Sequence, residues 1–135
     1  MTIETVTVGG KQYNIAQASA VDQKRLMHLL AARLTYNVGK DVDVQLDETF
    51  LMGALMGASE ADFDEIAKIV LYKAAANGST SLIELADFQS HITDYYMLVA
   101  AGVRCNLLDF LIWLDEARKP SVQPEKAPGL NETRM

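Results

Sequence analysis

Few residues in this chain could do chemistry. His28 and His91 are the two histidines and Cys105 is the one cysteine. A metal site needs several such ligands at short or converging spacing, and a general base needs a positioned partner. Neither histidine has a cysteine or a second histidine nearby in sequence. Cys105 has no partner for an internal disulfide and lies in an apolar helical stretch, where a thiol behaves as a small buried hydrophobe. The densest acids are Glu60, Asp62, Asp64 and Glu65, which could pair for acid–base work. They fall in the first turns of a helix, where negative charge complements the helix dipole, and that placement explains them. Asp41 to Asp47 (DVDVQLD) resembles a calcium loop at first sight. Such a loop requires Gly at its sixth position and a bidentate Glu at its twelfth; counted from Asp41, those places hold Leu46 and Met52. Gly9-Gly10 lacks the following Gly-Lys-Ser/Thr of a phosphate loop. Ser59, Ser79, Ser81 and Ser90 have no nucleophile-elbow context. Tyr95-Tyr96 has no interleaved basic residues for stacking on nucleic acid and suits the core and rim of a helix face. The expectation is a non-enzymatic protein without cofactor or metal.

The elements that would position any site follow from periodicity. Thr2 to Val8 alternates, with Ile3, Thr5 and Thr7 on one side and Glu4, Val6 and Val8 on the other. Gly9-Gly10 and a second β-favouring run, Lys11 to Ile15, complete a hairpin, because Gly supplies the positive φ of a tight turn. Ser19, with Asp22 in the first turn, caps a helix over about 20–36 striped by Leu26, Leu29, Leu30 and Leu34, and Asn37 to Lys40 ends it. Asp47 is placed to cap a short helix over 48–57. Ser59 opens a stronger helix with Phe63, Ile66, Ala67, Val70 and Ala74 on its buried face, stopped by Asn77-Gly78. Ser81 and Glu84 form a capping box that reopens helix. From there to Lys119 helical periodicity dominates, with a break expected near Gly102, where Ala100, Ala101 and Gly102 make a small surface, and with Asn106 and Asp109 able to cap a final helix. Met27, Met52, Met56 and Met97 fall on or beside these helices as flexible fillers of the core.

The fold class expected is mainly α: a short N-terminal β-hairpin (1–16) followed by a compact bundle of four to five helices, one domain over 1–119. Residues 120–135, with three prolines and no aromatic residue, read as a flexible, disordered tail. A chain of 135 residues, half of them hydrophobic, can bury a sizeable core. The net charge of −6 argues against sequence-independent nucleic-acid binding and against an anionic membrane surface. MTIETVTVGG lacks the basic region and apolar run of a signal peptide. The uninterrupted apolar runs fall short of the ~20 residues that span a bilayer. A single cysteine fits a reducing cytoplasm.

One stretch carries more apolar surface than a helix needs. Leu107 to Leu114 reads LLDFLIWL and is apolar on nearly every side, interrupted only by Asp109. Such a helix must be covered all round, by its own domain or by a partner. Leu107, Phe110, Leu111, Trp113 and Leu114 are therefore expected to form a partner or self-association surface, with Trp and Phe as typical anchors.

The order of these parts, the hairpin ETVTVGGKQYNI, the helices, the oily NLLDFLIWLDEA and a polar Pro-containing tail, resembles the small tail assembly chaperones of long-tailed bacteriophages. The likeness covers about residues 1–119 and is closest locally at Gly10-Lys11-Gln12-Tyr13. It implies a homo-oligomeric, non-enzymatic protein of the host cytoplasm that coats the long helical tape-measure protein and keeps it soluble. It also implies recruitment of tail tube subunits, absence from the mature virion and, in many members, a longer frameshifted product. A second expectation is a small acidic interaction protein, phage-encoded or bacterial, that binds and regulates a host protein. That role favours acids spread over the surface, whereas here they gather at helix starts and in one loop.

Overall fold

The computed structural model describes residues 2–40 and 48–118. Strands β1 (Ile3–Val8) and β2 (Lys11–Ala16) pair antiparallel, with Val8 opposite Lys11 and Ile3 opposite Ala16. Gly9 and Gly10 take φ of +58° and +80°, the pair of positive angles a two-residue turn of this kind demands. The alternation sorts the side chains as expected: Val8, Tyr13 and Ile15 are buried, while Ile3, Thr5 and Thr7 are exposed. Helix α1 (Ala20–Lys40) is capped by Ser19, whose Oγ accepts the Asp22 N–H at 3.3 Å. It runs through the Asn37 to Lys40 segment expected to end it. Helix α2 spans Glu48–Met56, and helix α3 (Glu60–Val70) is capped by Ser59, whose Oγ accepts the Asp62 N–H at 3.1 Å. Helix α4 (Ile92–Arg118) is the longest element.

The expected fold class is corrected. In place of a mainly α chain with a two-stranded hairpin before a bundle of four to five helices, the structure has four α-helices and a three-stranded antiparallel sheet. Residues 74–76 account for the difference. Alanine favours helix, and the expected helix ran to Asn77-Gly78. Instead α3 ends at Val70, and Ala75–Ala76 form strand β3 against Tyr13 and Asn14 of β2. The Asn77 N–H donates to Gln12 O at 2.9 Å, and the Asn14, Asn77 and Gln12 side-chain amides join in a ladder across the sheet. A lone hairpin is marginal in water; pairing with β3 outweighs local propensity. Gly78, at φ +86°, serves the turn after this strand and not a helix end.

The Ser81–Glu84 capping box is also corrected. Leu82 bridges Ala75, and the Ser81 N–H donates to Ser79 Oγ. The box forms three residues later: the Glu84 N–H donates to Asp87 Oδ2 at 3.0 Å and opens a short 3-10 helix, Leu85–Phe88. Helical structure over 81–101 is thus broken before α4 begins at Ile92. The expected loop over 41–47, the Asp47 cap and the 120–135 tail lie outside the described residues.

Helix α4 is the axis of the core. Leu98, Val99, Ala100 and Val103 are completely buried, in one cluster with Ile15, Leu26, Leu30, Leu51, Ile66 and Val70. Its stretch Ile92–Leu114 is long and apolar enough, by length and composition, to cross a bilayer, which uninterrupted runs did not reveal. Contacts with β1, α1, α2 and α3 give that apolarity an internal use. Gly102 permits the close crossing of α3: a Cβ there would lie 2.7 Å from Val70 Cβ. An aromatic group joins sheet to helices. Phe63 stacks on Tyr96 at 4.3 Å between centroids, Phe88 meets Tyr95 at 5.4 Å, and Tyr13 meets Phe88 at 6.2 Å.

Two outcomes follow for stability. Gly102→Ala gains helix propensity but overlaps Val70, so it should destabilise by about 1–3 kcal/mol in urea unfolding. Combining it with Val70→Ala should cost less than the sum of the two single changes. The Tyr13 and Tyr95 hydroxyls are pushed above the ordinary 10.0 by burial first, then by Asp94 and Asp87 around Tyr13 and by Asp64 and Tyr96 around Tyr95. A raised folded-state value means the contribution is intact below the unfolded value near 10.0 and is lost as pH climbs through the folded value. Stability should therefore fall above pH 10.0 in alkaline titrations of unfolding, and Tyr95→Phe should flatten that fall.

Candidate interaction surface

The surface begins at a kink. Leu107 has φ −119° and ψ 24°, outside the helical region, within otherwise continuous α4. Asn106 beside it is 5% exposed. Its Oδ1 accepts the Ala18 N–H at 2.8 Å and Gln23 Nε2 at 3.2 Å, and its Nδ2 donates to Gly102 O at 2.8 Å. Gln17 Nε2 donates to Cys105 O at 2.8 Å, and Cys105 Sγ donates to the Glu4 carboxylate. A break was expected near Gly102 with Asn106 as a helix cap. The bend lies at Leu107, and Asn106 is a bracket between α4 and the segment joining β2 to α1. Asp109, the other expected capping residue, accepts the Phe110 N–H at 2.7 Å.

The kink sets which sides of LLDFLIWL face inward. Leu107, Leu111 and Leu114 are buried and belong to the core. Phe110 is half-buried and Trp113 is 62% exposed, their rings stacked with centroids 6.0 Å apart. The five residues expected to form one surface are therefore divided: three are internal, and two lie at or on the outside. Two others went unnoticed in the sequence. Leu108 is exposed and Ile112 is 56% exposed, one helical turn apart. The signal that locates them is the phase after the kink. Once 107, 111 and 114 point inward at steps of four and three, 108 and 112 are carried to a flank.

Two shallow grooves flank this outer ridge. One, of 420 Å³, lies between α1 and α4 and is lined by Ala20, Lys24, Met27, Phe110 and Trp113 among others. The second, of 360 Å³, has Gln17, Cys105, Leu108 and Ile112 in its walls. Their lining is aliphatic, aromatic and amide, with Lys24 and Asp109 as the charged groups. Such walls can exclude water from an apolar partner, and the Cys105 thiol in the second groove is held by the Glu4 carboxylate. Met56 and Met97, expected as core filler, are exposed, while Met27 and Met52 are half-buried. His28 and His91 are exposed. Among the described residues, no group of three or more His, Cys, Asp or Glu side chains is placed to hold a metal ion. No protein-family model, curated protein or solved structure matches this chain.

The bracket is testable by itself. Asn106→Ala leaves the Ala18 N–H and the Gln23 amide without their acceptor. It should cost about 1–3 kcal/mol in denaturant unfolding and speed hydrogen exchange at the Ala18 amide.

Proposed function

We propose that this protein is a non-enzymatic assembly chaperone that binds an apolar helical client on the outer ridge of α4. The observation that carries this is the ridge itself: Leu108, Ile112 and Trp113 are exposed on a helix whose opposite side is fully committed to the core. Leu108 and Ile112 lie one helical turn apart, and Trp113 lies across the exposed Asp109 from them; large apolar side chains left in solvent along one helix suit a contact site. Grooves beside a helical ridge suit the apolar face of a client helix, read by anchors at three- and four-residue steps. A net charge of −6 helps keep a complex with an oily client in solution.

With the resemblance to phage tail assembly chaperones, the client is the tape-measure protein, held soluble in the host cytoplasm until tail tube subunits are recruited. The protein then leaves before the virion is complete. Trp113 is the anchor of this contact, Phe110 supports its ring from beneath, and Ile112 and Leu108 extend the contact along the helix.

Co-expression with the tape-measure protein of the same genome tests the proposal. The chain should raise the soluble fraction of that client and co-purify with it. Trp113→Asp and Ile112→Asp should weaken co-purification at least about tenfold with thermal unfolding unchanged, since both side chains are outside the core. A client equally soluble alone, or rescue undiminished by both variants, would overturn it.

A further inference from the structure

We propose that strand β1 is a second docking edge, one that pairs antiparallel with β1 of a second copy of this chain about a two-fold axis through Thr5. The sheet order is β1-β2-β3, so β1 and β3 are its two edges. They are treated differently. The β3 edge is only two residues long and is closed by the chain itself, through the Ala75–Leu82 bridge and the Ile83 N–H donating to Ala74 O. The β1 edge is six residues long, and among the described residues nothing pairs with its outer side.

The register shows which groups are left open. The Gln17 N–H donates to Thr2 O, so Thr2, Glu4, Val6 and Val8 turn their backbone groups towards β2. The N–H and C=O of Ile3, Thr5 and Thr7 point away from it. Free strand edges are commonly protected by Pro, Lys or a bulge. IETVTV has neither residue, and its ladder with β2 is regular from Ile3 to Val8. Its one charge, Glu4, is tied to Cys105 on the α4 side.

The strand is complementary to itself. A two-fold axis at Thr5 sets Ile3 against Thr7 of the second copy and Thr5 against its equivalent, so every outward N–H and C=O of the three residues gains a partner. Thr–Thr and β-branched cross-strand neighbours are favourable. Ile3, 64% exposed, is flanked by Thr7 of the second copy, and Glu4 faces Val6 of the second copy, so the two carboxylates are not directly opposed. The groove walled by Gln17, Cys105, Leu108 and Ile112 adjoins this edge, because Gln17 pairs with Thr2 and Cys105 contacts Glu4. A second copy of this chain offers the matching strand without a further component.

Sedimentation equilibrium with amide hydrogen exchange tests the pairing. The full chain should form a dimer, and the amides of Ile3, Thr5 and Thr7 should become protected as protein concentration rises. Thr5→Pro removes an outward donor and spares the main-chain bonds to β2, losing only the Thr5 hydroxyl donation to Asn14 Oδ1; it should raise the dimer dissociation constant more than about tenfold. Thr5→Lys opposes two ammonium groups across the axis; it should weaken the dimer in a salt-dependent way while the exposed position leaves the monomer folded. A chain monomeric at all concentrations would overturn the proposal. So would a dimer indifferent to Thr5→Lys, one abolished by Trp113→Asp alone, or β1 amides protected only when a client is present.

Discussion

A single buried amide governs how the pieces of this molecule meet. Asn106 lies where α4 bends, and its side chain binds the Ala18 N–H, the Gln23 amide and the Gly102 carbonyl together. A polar group at that depth is tolerable only because three of its four hydrogen-bonding positions are filled. The same contacts fix where the chain passes from sheet to α1 and how the last turns of α4 are phased. The N-terminal half of that helix is wrapped by the sheet and the other helices. The C-terminal half, rotated by the bend, keeps one side inward and turns Leu108, Ile112 and Trp113 outward. Beyond the bend, one helix thus keeps Leu107, Leu111 and Leu114 in the core while its other side is solvated.

Much of the local structure was legible in the sequence. The Gly9-Gly10 hairpin, the Ser19 and Ser59 caps and the close approach at Gly102 each follow from a residue whose local chemistry has few alternatives. Features set by distant partners were not legible. Ala74 to Ala76 has the composition of a helix, and only the neighbouring β2 strand makes it an edge. Ser81-x-x-Glu84 has the spacing of a capping box, yet a 3-10 helix three residues later takes that role because Leu82 is held against Ala75. The candidate surface was half legible for a related reason. An octet apolar on every side marks excess hydrophobicity, but which side is buried depends on the kink, and the kink depends on hydrogen bonds to residues 88 and 83 positions away in sequence.

Among the described residues, the α4 ridge and the β1 edge are open in different physical ways. The α4 ridge offers side chains, so any contact there would depend on shape and apolar area. The β1 edge offers main-chain groups, so its contacts demand an extended strand in fixed register. Self-pairing through the edge and client binding on the ridge, both as proposed, therefore do not compete for the same groups. Gly102 and Val70 let α3 and α4 approach more closely than a side chain at position 102 would allow.

Trp113 is the only tryptophan in the chain, and it sits on the ridge rather than in the core. Its indole is therefore largely solvated in the folded protein, with the Phe110 ring stacked beside it. Covering the ridge dries it. A partner seated there, as proposed, would take this indole and the stacked Phe110 ring out of water together, so the single tryptophan would report the contact directly.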